Sequence, residues 1–458
     1  MSFSPTHSAN SLYFQALTLY LISLIVRGLA KNPKTLTMVR ELERERQKSD
    51  FPETAPAANP VFFRTYSRRT ETGRETWDEV CDRTTEGFTK LGKLTSSEAA
   101  LIHRMMRQIK SLPSGRWLWV GGTEWIEKPE NFSGAYNCTS TNALDWRAFG
   151  LMMDLAMMGC GTGAVLEPKY INQLPAIRNR LTVSIQGEIG STPPQQRREE
   201  TEVKIVSEAG RSPENQVTIY VGDSRQGWVK SYQTLLELST DERFSGEIKV
   251  FIDLNDVRAA GESLKGFGGV ANPVKLPELY HRCASILNKA VGRQLNSVEC
   301  CLLIDEAAVT IVAGNIRRSA GMREFVSDDE LGANAKNNLW QQDENGNWRI
   351  DPERDALRMA NHTRIFHHKP SRSECLDAVQ KQYYSGEGAI MWAGEAVARA
   401  NCDLLPTQEL KKDFLKFYEQ GTAKQWLQER YPNIDYYELE HRLARVGLNP
   451  CGKQFASR

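Results

Sequence analysis

The sequence predicts an α/β protein, and three stretches carry that prediction. From Trp146 to Met158 an apolar, methionine-rich helix runs into Gly159-Cys-Gly-Thr-Gly163 and the short apolar run Ala164-Val-Leu. Two strand-like runs, Gln216 to Val221 and Ile248 to Leu254, flank Gly222-Asp-Ser-Arg-Gln-Gly-Trp228 and a helix. Tyr384-Ser-Gly-Glu-Gly-Ala-Ile-Met-Trp392 resumes the order of glycine turn, then strand. Repeated alternation of helix, tight turn and strand is the pattern of a layered α/β domain.

Residues 1–37 contain no Asp or Glu, and Leu12 to Val26 is nearly continuous apolar sequence. A signal or membrane anchor is one reading. Against it, the run is about 15 residues where a spanning helix needs roughly 20, and no Lys or Arg precedes it. Composition flips at Met38, where Val-Arg-Glu-Leu-Glu-Arg-Glu-Arg begins. The preferred account makes Met38 the natural start and the preceding segment an upstream reading of the gene.

Asp50 to Pro60 is a Pro/Ala-rich lead-in expected to be extended. Trp77, Val80, Cys81, Thr84, Phe88 and Leu91 recur at three- and four-residue spacing, the stripe of an amphipathic helix. Thr95-Ser-Ser-Glu98 is a capping-box signature. Behind it Leu101, Met105, Ile109 and Leu112 form a second stripe that Pro113 should end. The glycines of 159–163 follow a helix and precede a strand, the reverse of the dinucleotide-binding order, and no Lys-Ser/Thr follows them. Close backbone packing is their expected role. Residues 187–216, rich in Glu, Arg, Pro and Ser, read as an exposed, mobile connection. Leu279 to Val291 and Cys300 to Gly314 read as helices, and residues 326–350 as polar and turn-rich. Arg317 and Arg318 suit an anion site and equally a solvated surface.

A chain of 458 residues can bury a large core in more than one domain. Hydrophobic content of 40% and charged content of 25% are ordinary for a globular protein, and a net charge of +1 argues against a nucleic-acid partner. Nine cysteines without regular spacing do not read as a secreted disulfide scaffold, so a reducing cytoplasm is the expected location and no membrane partner is expected. No Cys-x-x-Cys or paired Cys/His pattern points to a structural metal.

Near the end of the chain Gly447-Leu-Asn-Pro-Cys-Gly452 places Asn449 and Cys451 two apart on a loop bounded by glycine and proline. A cysteine so held beside an amide is a candidate for nucleophilic or radical chemistry. The alternative is a small inert hydrophobe, and that alternative also applies to Cys138.

Six stretches in order resemble the adenosylcobalamin-dependent (class II) ribonucleotide reductases, in particular their monomeric ribonucleoside-triphosphate reductase branch. They are Tyr136-Asn-Cys-Thr139, Met158-Gly-Cys-Gly-Thr-Gly163, Val221-Gly-Asp-Ser-Arg-Gln-Gly-Trp228, Ala260-Gly-Glu-Ser-Leu-Lys-Gly-Phe-Gly-Gly269, Ala313-Gly-Asn-Ile-Arg-Arg-Ser-Ala320 and Asn449-Pro-Cys-Gly452. The resemblance implies the N-terminal part of a ten-stranded α/β barrel, with a helical N-terminal layer and an α/β effector-binding insertion. Its implied divisions are a non-family extension (1–37), a helical region (38–113), a first barrel segment with Cys138 (114–166), the effector insertion and its loops (167–318), a barrel segment leading to the catalytic loop (319–452) and a non-family tail (453–458).

By the same resemblance, Cys451 looks like the cysteine that becomes a thiyl radical and takes the 3′ hydrogen of the substrate ribose. Asn449 resembles the amide that orients the ribose hydroxyls. Cys138 resembles the first of two reducing cysteines, which protonate the leaving 2′ hydroxyl and end as a disulfide. Arg258, Lys265, Gly266, Gly268 and Gly269 are candidate contacts to nucleotide phosphates, with solvated surface charge as the competing reading. The implied cofactor is adenosylcobalamin. The implied partners are a ribonucleoside triphosphate, a deoxynucleoside triphosphate effector and a thioredoxin-type reductant, acting on a monomer.

The chain departs from the family pattern at Lys453, where a glutamate acts as general base. A protonated ammonium has no lone pair to accept that proton. The second reducing cysteine, the cobalamin-binding region and the C-terminal cysteine pair also have no counterpart here. The expectation is a chain inactive alone. Two other readings stay open: a non-catalytic deoxynucleotide-binding module, and another thiyl-radical barrel enzyme of the glycyl-radical kind.

Overall fold

The computed structural model describes residues 51, 57–71, 73–206, 215–262, 271–313, 320–385, 388–444, 446–448 and 450. Asn449, Cys451, Lys265, Gly266, Gly268, Gly269 and the Arg317-Arg318 pair lie outside the described residues. So do residues 1–37 and the proposed start at Met38. The chain divides into two units, Met1–Gly121 and Gly122–Arg458.

The first unit is built on helices α1 (Ala58–Thr65), α2 (Trp77–Gly92) and α3 (Ser96–Arg107). Helix α1 begins inside the lead-in expected to be extended. Asn59 and Pro60 occupy its first turn, where a missing proline N–H forfeits no intrahelical bond. In α2, Trp77, Val80, Cys81 and Thr84 are buried on one face, as their spacing requires. The capping box at Thr95 forms: Glu98 accepts from the Thr95 backbone N–H at 2.9 Å, and Thr95 Oγ1 accepts from the Glu98 N–H at 3.4 Å. Helix α3 ends at Arg107, ahead of Pro113. Lys110 N–H reaches back to the Met105 carbonyl and Ile109 takes a left-handed φ of 55°, which closes the helix. Ile109 and Leu112, assigned to the apolar stripe, are therefore exposed; Leu101, inside the helix, is exposed as well, because the helix buries Met106 instead.

The second unit holds two sheets. Strands β1 (Cys138–Asn142) and β2 (Gly161–Val165) are joined by α4 (Trp146–Met157), whose N-terminus is capped by Asp145. Next come β3 (Asn179–Gln186), β4 (Glu202–Val206), β5 (Gln216–Tyr220), α5 (Arg225–Leu238) and β6 (Gly246–Asp253). These four strands form a sheet of order β3-β6-β5-β4, with only β4 antiparallel to its neighbour. Part of the stretch read as a mobile connection is thus a strand: Val203 and Ile205 alternate with polar residues and pair with Ile219 and Val217.

Helices α6 (Leu276–Lys289) and α7 (Ser297–Ala313) lead to β7 (Gly321–Val326), followed by the one-turn α8 (Glu330–Asn334). A two-stranded hairpin pairs Trp340–Gln342 with Trp348–Ile350 within the turn-rich stretch. Strand β8 (Ala360–Phe366), α9 (Arg372–Ser385) and β9 (Ala389–Trp392) follow, then α10 (Ala393–Ala400), α11 (Gln408–Glu419), α12 (Ala423–Arg430) and α13 (Tyr436–Ala444).

Strands β9-β8-β7-β2-β1 form one five-stranded sheet, parallel throughout. A parallel sheet needs cover on both faces. On one side α4 to α7 share a continuous core with the four-stranded sheet, centred on Phe149, Met153, Tyr232, Leu303 and Phe325. On the other, Val165, Ile365 and Met391 pack with Val397, Phe414, Leu427 and Leu439 of the C-terminal helices.

Candidate functional site

Alternation along β7 sends two adjacent charged residues to opposite faces of the sheet. Arg323, fully buried, points toward α7. Its Nε donates to Asp305 Oδ1 at 3.0 Å and its Nη1 to the Thr162 carbonyl at 2.8 Å. Cys301 and His362 join this group, with Cys301 Sγ 3.3 Å from Asp305 Oδ2 and 3.8 Å from His362 Nε2. Burial pushes the Cys301 thiol up and, with Lys336 and Arg323 adding to it, holds the His362 imidazole well below its ordinary value. The donor atoms of Cys301, Asp305 and His362 lie within 4.8 Å of one another, as a metal would require. However, Asp305 is already engaged by Arg323, and a protonated thiol is a poor metal ligand.

Glu324 points the other way, to the face on which Leu448 lies. It is fully buried and its Oε1 accepts the Leu448 backbone N–H at 2.8 Å. Burial pushes its carboxyl well above the usual range; the Leu448 hydrogen bond opposes this and nearby Glu167 adds to it. Its Oε2 makes no hydrogen bond among the described residues.

Gly447, Leu448 and Pro450 lie against β1 and β2, and the glycines explain how they fit. A Cβ on Gly163 would collide with the Leu448 carbonyl oxygen, and one on Gly447 with Ser140 Oγ. A Cβ on Gly161 would meet Pro450 Cγ at 3.1 Å and Cys138 Sγ at 3.2 Å. Gly161 and Gly163 therefore serve close backbone packing, as the sequence predicted, while Gly159 takes a left-handed φ of 73° just past α4. The segment is anchored from its N-terminal side as well, where Tyr170 Oη donates to the Ala444 carbonyl at 2.9 Å. Glu167, beside Tyr170, accepts from His367 at 3.0 Å if that ring nitrogen carries its proton. Its carboxyl lies below the ordinary value: burial, the largest influence, raises it, but His367 and Lys169 outweigh burial.

Cys138, predicted from the sequence, opens β1 opposite Gly161 and is buried. Of the Asn449-Pro450-Cys451 triplet only Pro450 is described, and it lies over the same glycine as the Cys138 sulfur. Glu324, Ser140 and Tyr170 were missed. The available signal for Glu324 was an Arg-Glu pair inside an otherwise apolar strand, which places a charge on each covered face.

The four-stranded sheet carries the second cluster. Gln186, Asp253 and Tyr220 end β3, β6 and β5 in register, so the loops after them meet at one edge. There Arg258 Nε donates to Asp223 Oδ1 at 2.8 Å and its Nη2 to the Asp223 carbonyl at 3.1 Å. Arg197 bridges Glu262 (2.7 Å) and Asp223 (3.4 Å). The hydrogen bond from Arg197 pulls the Glu262 carboxyl down to about 2, burial opposing it. A phosphate at this edge would share Arg258 with Asp223. The carboxyl edge of parallel strands is where open α/β sheets bind ligands.

Comparison with known proteins agrees with this architecture. Residues 195–287 match the family described as the insertion domain of B12-dependent ribonucleotide reductase. The adenosylcobalamin-dependent ribonucleoside-triphosphate reductase of Lactobacillus helveticus (strain DPC 4571) is 28% identical over 314 residues, 59% of this chain and 41% of that protein. The reductase of the same name from Lactobacillus gasseri is 24% identical over 433 residues, 86% of this chain and 52% of that protein. A crystal structure of a B12-dependent (class II) ribonucleotide reductase superposes with a TM-score of 0.53 at 19% identity, covering 67% of this chain and 45% of that one. The chain thus spans about half, or less, of the length of the curated relatives it matches, and its similarity is to class II ribonucleotide reductases. Among the described residues no helix is long and apolar enough to cross a membrane.

Proposed function

We propose that this chain is the N-terminal portion of an adenosylcobalamin-dependent ribonucleoside-triphosphate reductase, and that its five parallel strands are half of a ten-stranded barrel. The observation that carries the reading is the meeting of two segments far apart in sequence, Cys138 and Pro450, over the bare Cα of Gly161. In this reading Cys451 is the sulfur that removes and returns the ribose 3′ hydrogen, and Asn449 orients the sugar hydroxyls. Cys138 gives a proton to the departing 2′ hydroxyl, which leaves as water. Two electrons then come from Cys138 and a second thiol, which end as a disulfide.

Adenosylcobalamin would supply the radical that starts this chemistry. The described residues offer it no cradle: the face of β1 and β2 beside Cys138 is filled by Leu448 and Pro450. Lys453 stands where the family's base would be.

The insertion sheet supports a regulatory role, with a deoxynucleoside triphosphate bound at the edge carrying Arg258 and, in the adjoining loop, Lys265 and Gly266, Gly268 and Gly269. A second reading, a non-catalytic nucleotide-binding module, is favoured by the family match falling on this insertion alone. Two measurements test them, and the first separates them. A bifunctional thiol reagent of short span should bridge Cys138 and Cys451, which only the reductase reading requires. Calorimetry should show deoxynucleoside triphosphates binding more tightly than cobalamin, which both require. Failure of the bridge rejects the catalytic assignment, and failure of nucleotide binding at millimolar concentration rejects the regulatory one.

A further inference from the structure

On the helix-covered side of the five-stranded sheet, away from the 446–450 segment, a cavity of about 390 Å³ opens between α8 and α9. Its floor is Phe325 of β7 with His362 and Arg364 of β8. One wall is Gly332, Ala333, Lys336 and Asn337; the other is Asp377, Gln380, Lys381 and Tyr384 of α9. The lining holds three permanent cations, Lys336, Arg364 and Lys381, against one carboxylate, Asp377.

Arg364 is the informative residue. It is only 7% exposed, because register places it beside Phe325 on the covered face. Its Nη1 lies 3.5 Å from Asp377 Oδ2, which is shared with Lys381 at 3.2 Å. Its Nη2 is buried and makes no hydrogen bond among the described residues. Leaving a buried guanidinium donor unsatisfied costs free energy that a bound acceptor would recover. Burial, with Lys336 and Arg323 adding to it, holds the His362 imidazole well below its ordinary value, so the floor adds no further charge. Gly388 closes the rim with a φ of +106°, and a Cβ there would point at Arg364 Nη2 from 4.0 Å. The absence of a side chain leaves that approach open.

We propose that this cavity binds the phosphoryl group of a small phosphorylated molecule, with Arg364 Nη2 donating to a phosphoryl oxygen and Lys336 and Lys381 supplying the charge. A guanidinium donor aimed into a cationic cleft matches the tetrahedral oxyanion better than a planar carboxylate, since three oxygens can reach three separate donors. The volume is that of a small-molecule site rather than of an ion alone. This site is distinct from the insertion edge and from the Cys138 face, and it rests on neither functional assignment.

The test uses the full chain with inorganic phosphate, pyrophosphate and a nucleoside monophosphate as separate probes, and the corresponding nucleoside as control. Calorimetry should give saturable binding of the phosphorylated probes and none of the nucleoside. Tighter binding of the monophosphate than of free phosphate would identify a phosphate ester as the ligand; the reverse order would identify the free anion. Hydrogen exchange should show protection in α8 and α9. Lys381→Glu, at an exposed helical position, should weaken binding at least about tenfold with an unchanged melting curve, and Arg364→Gln should abolish it. The proposal is overturned if no phosphorylated probe saturates at millimolar concentration. It is equally overturned if Lys381→Glu binds as tightly as the parent chain, or if protection falls only on residues 179–262.

Discussion

Leu448 donates its backbone N–H to the buried carboxyl of Glu324 across 124 positions of sequence. Burial raises the folded-state pKa of Glu324, so the folded protein holds a proton that the unfolded chain releases above about pH 4.3. The stability this proton confers is complete below that pH and is lost as pH rises toward the folded value. Glu324→Gln keeps an acceptor for Leu448 and removes the titration. The variant should therefore gain stability relative to the parent between pH 5 and 8, measured by urea denaturation as a shallower decline. An identical pH slope in both proteins would show that Glu324 does not hold this proton.

The fit of the terminal segment depends on the missing side chain at position 163. Gly163→Ala forces a methyl against the Leu448 carbonyl, a rigid neighbour that cannot rotate away. Faster hydrogen exchange at 446–448 and loss of the Cys138–Cys451 thiol bridge should follow, with secondary structure by circular dichroism unchanged. Unaltered exchange at those amides would refute the packing role.

Arg323→Met strands Asp305 in a buried site. Removing one partner of such a pair costs about 3–5 kcal/mol, because the remaining charge has no compensation. The denaturation midpoint should fall accordingly. Asp305→Asn with Arg323→Met together should recover much of the loss, since neither charge then remains.

At the insertion edge, Arg258→Ala or Lys265→Ala should weaken deoxynucleotide binding by roughly 1.5–3 kcal/mol, the range for a hydrogen bond to a charged group. Titration calorimetry on each variant reads this directly. Equal affinities would assign Arg258 wholly to holding Asp223.

Supplied with adenosylcobalamin and a dithiol, the 458-residue chain should form no deoxynucleotide, and Lys453→Glu alone should not change that. In a reductase completed by the rest of the barrel, Cys451→Ser should abolish product, because an alkoxyl radical is far harder to form than a thiyl. Product from the unmodified chain would contradict the proposed division of labour.

What the sequence disclosed tracks what is local. Capping at Thr95, the amphipathic stripe of α2 from Trp77 to Thr84 and the helix-to-strand turn at Gly159–Gly163 are decided within a few residues and form as read, although Leu91 at the end of that stripe is exposed. The left-handed Ile109 and the strand at Glu202–Val206 depend on partners elsewhere: β4 exists because β5 offers an edge to pair with. At the candidate site the sequence singled out Cys138 through its motif, and nothing singled out Glu324. Its importance comes from a backbone N–H 124 residues away, and no local pattern records that.

The glycines of β2 have one more consequence. Side chains in a strand alternate between faces, so a shift of β2 by one position would present Cys160, Thr162 and Ala164 to the terminal segment in place of Gly161 and Gly163. None of these leaves room for a carbonyl or a proline ring. Leu448 and Pro450 can therefore seat themselves only after the central strands have paired correctly. The two bare positions act as a proofreading step, making the seating of Leu448 and Pro450 conditional on a finished sheet.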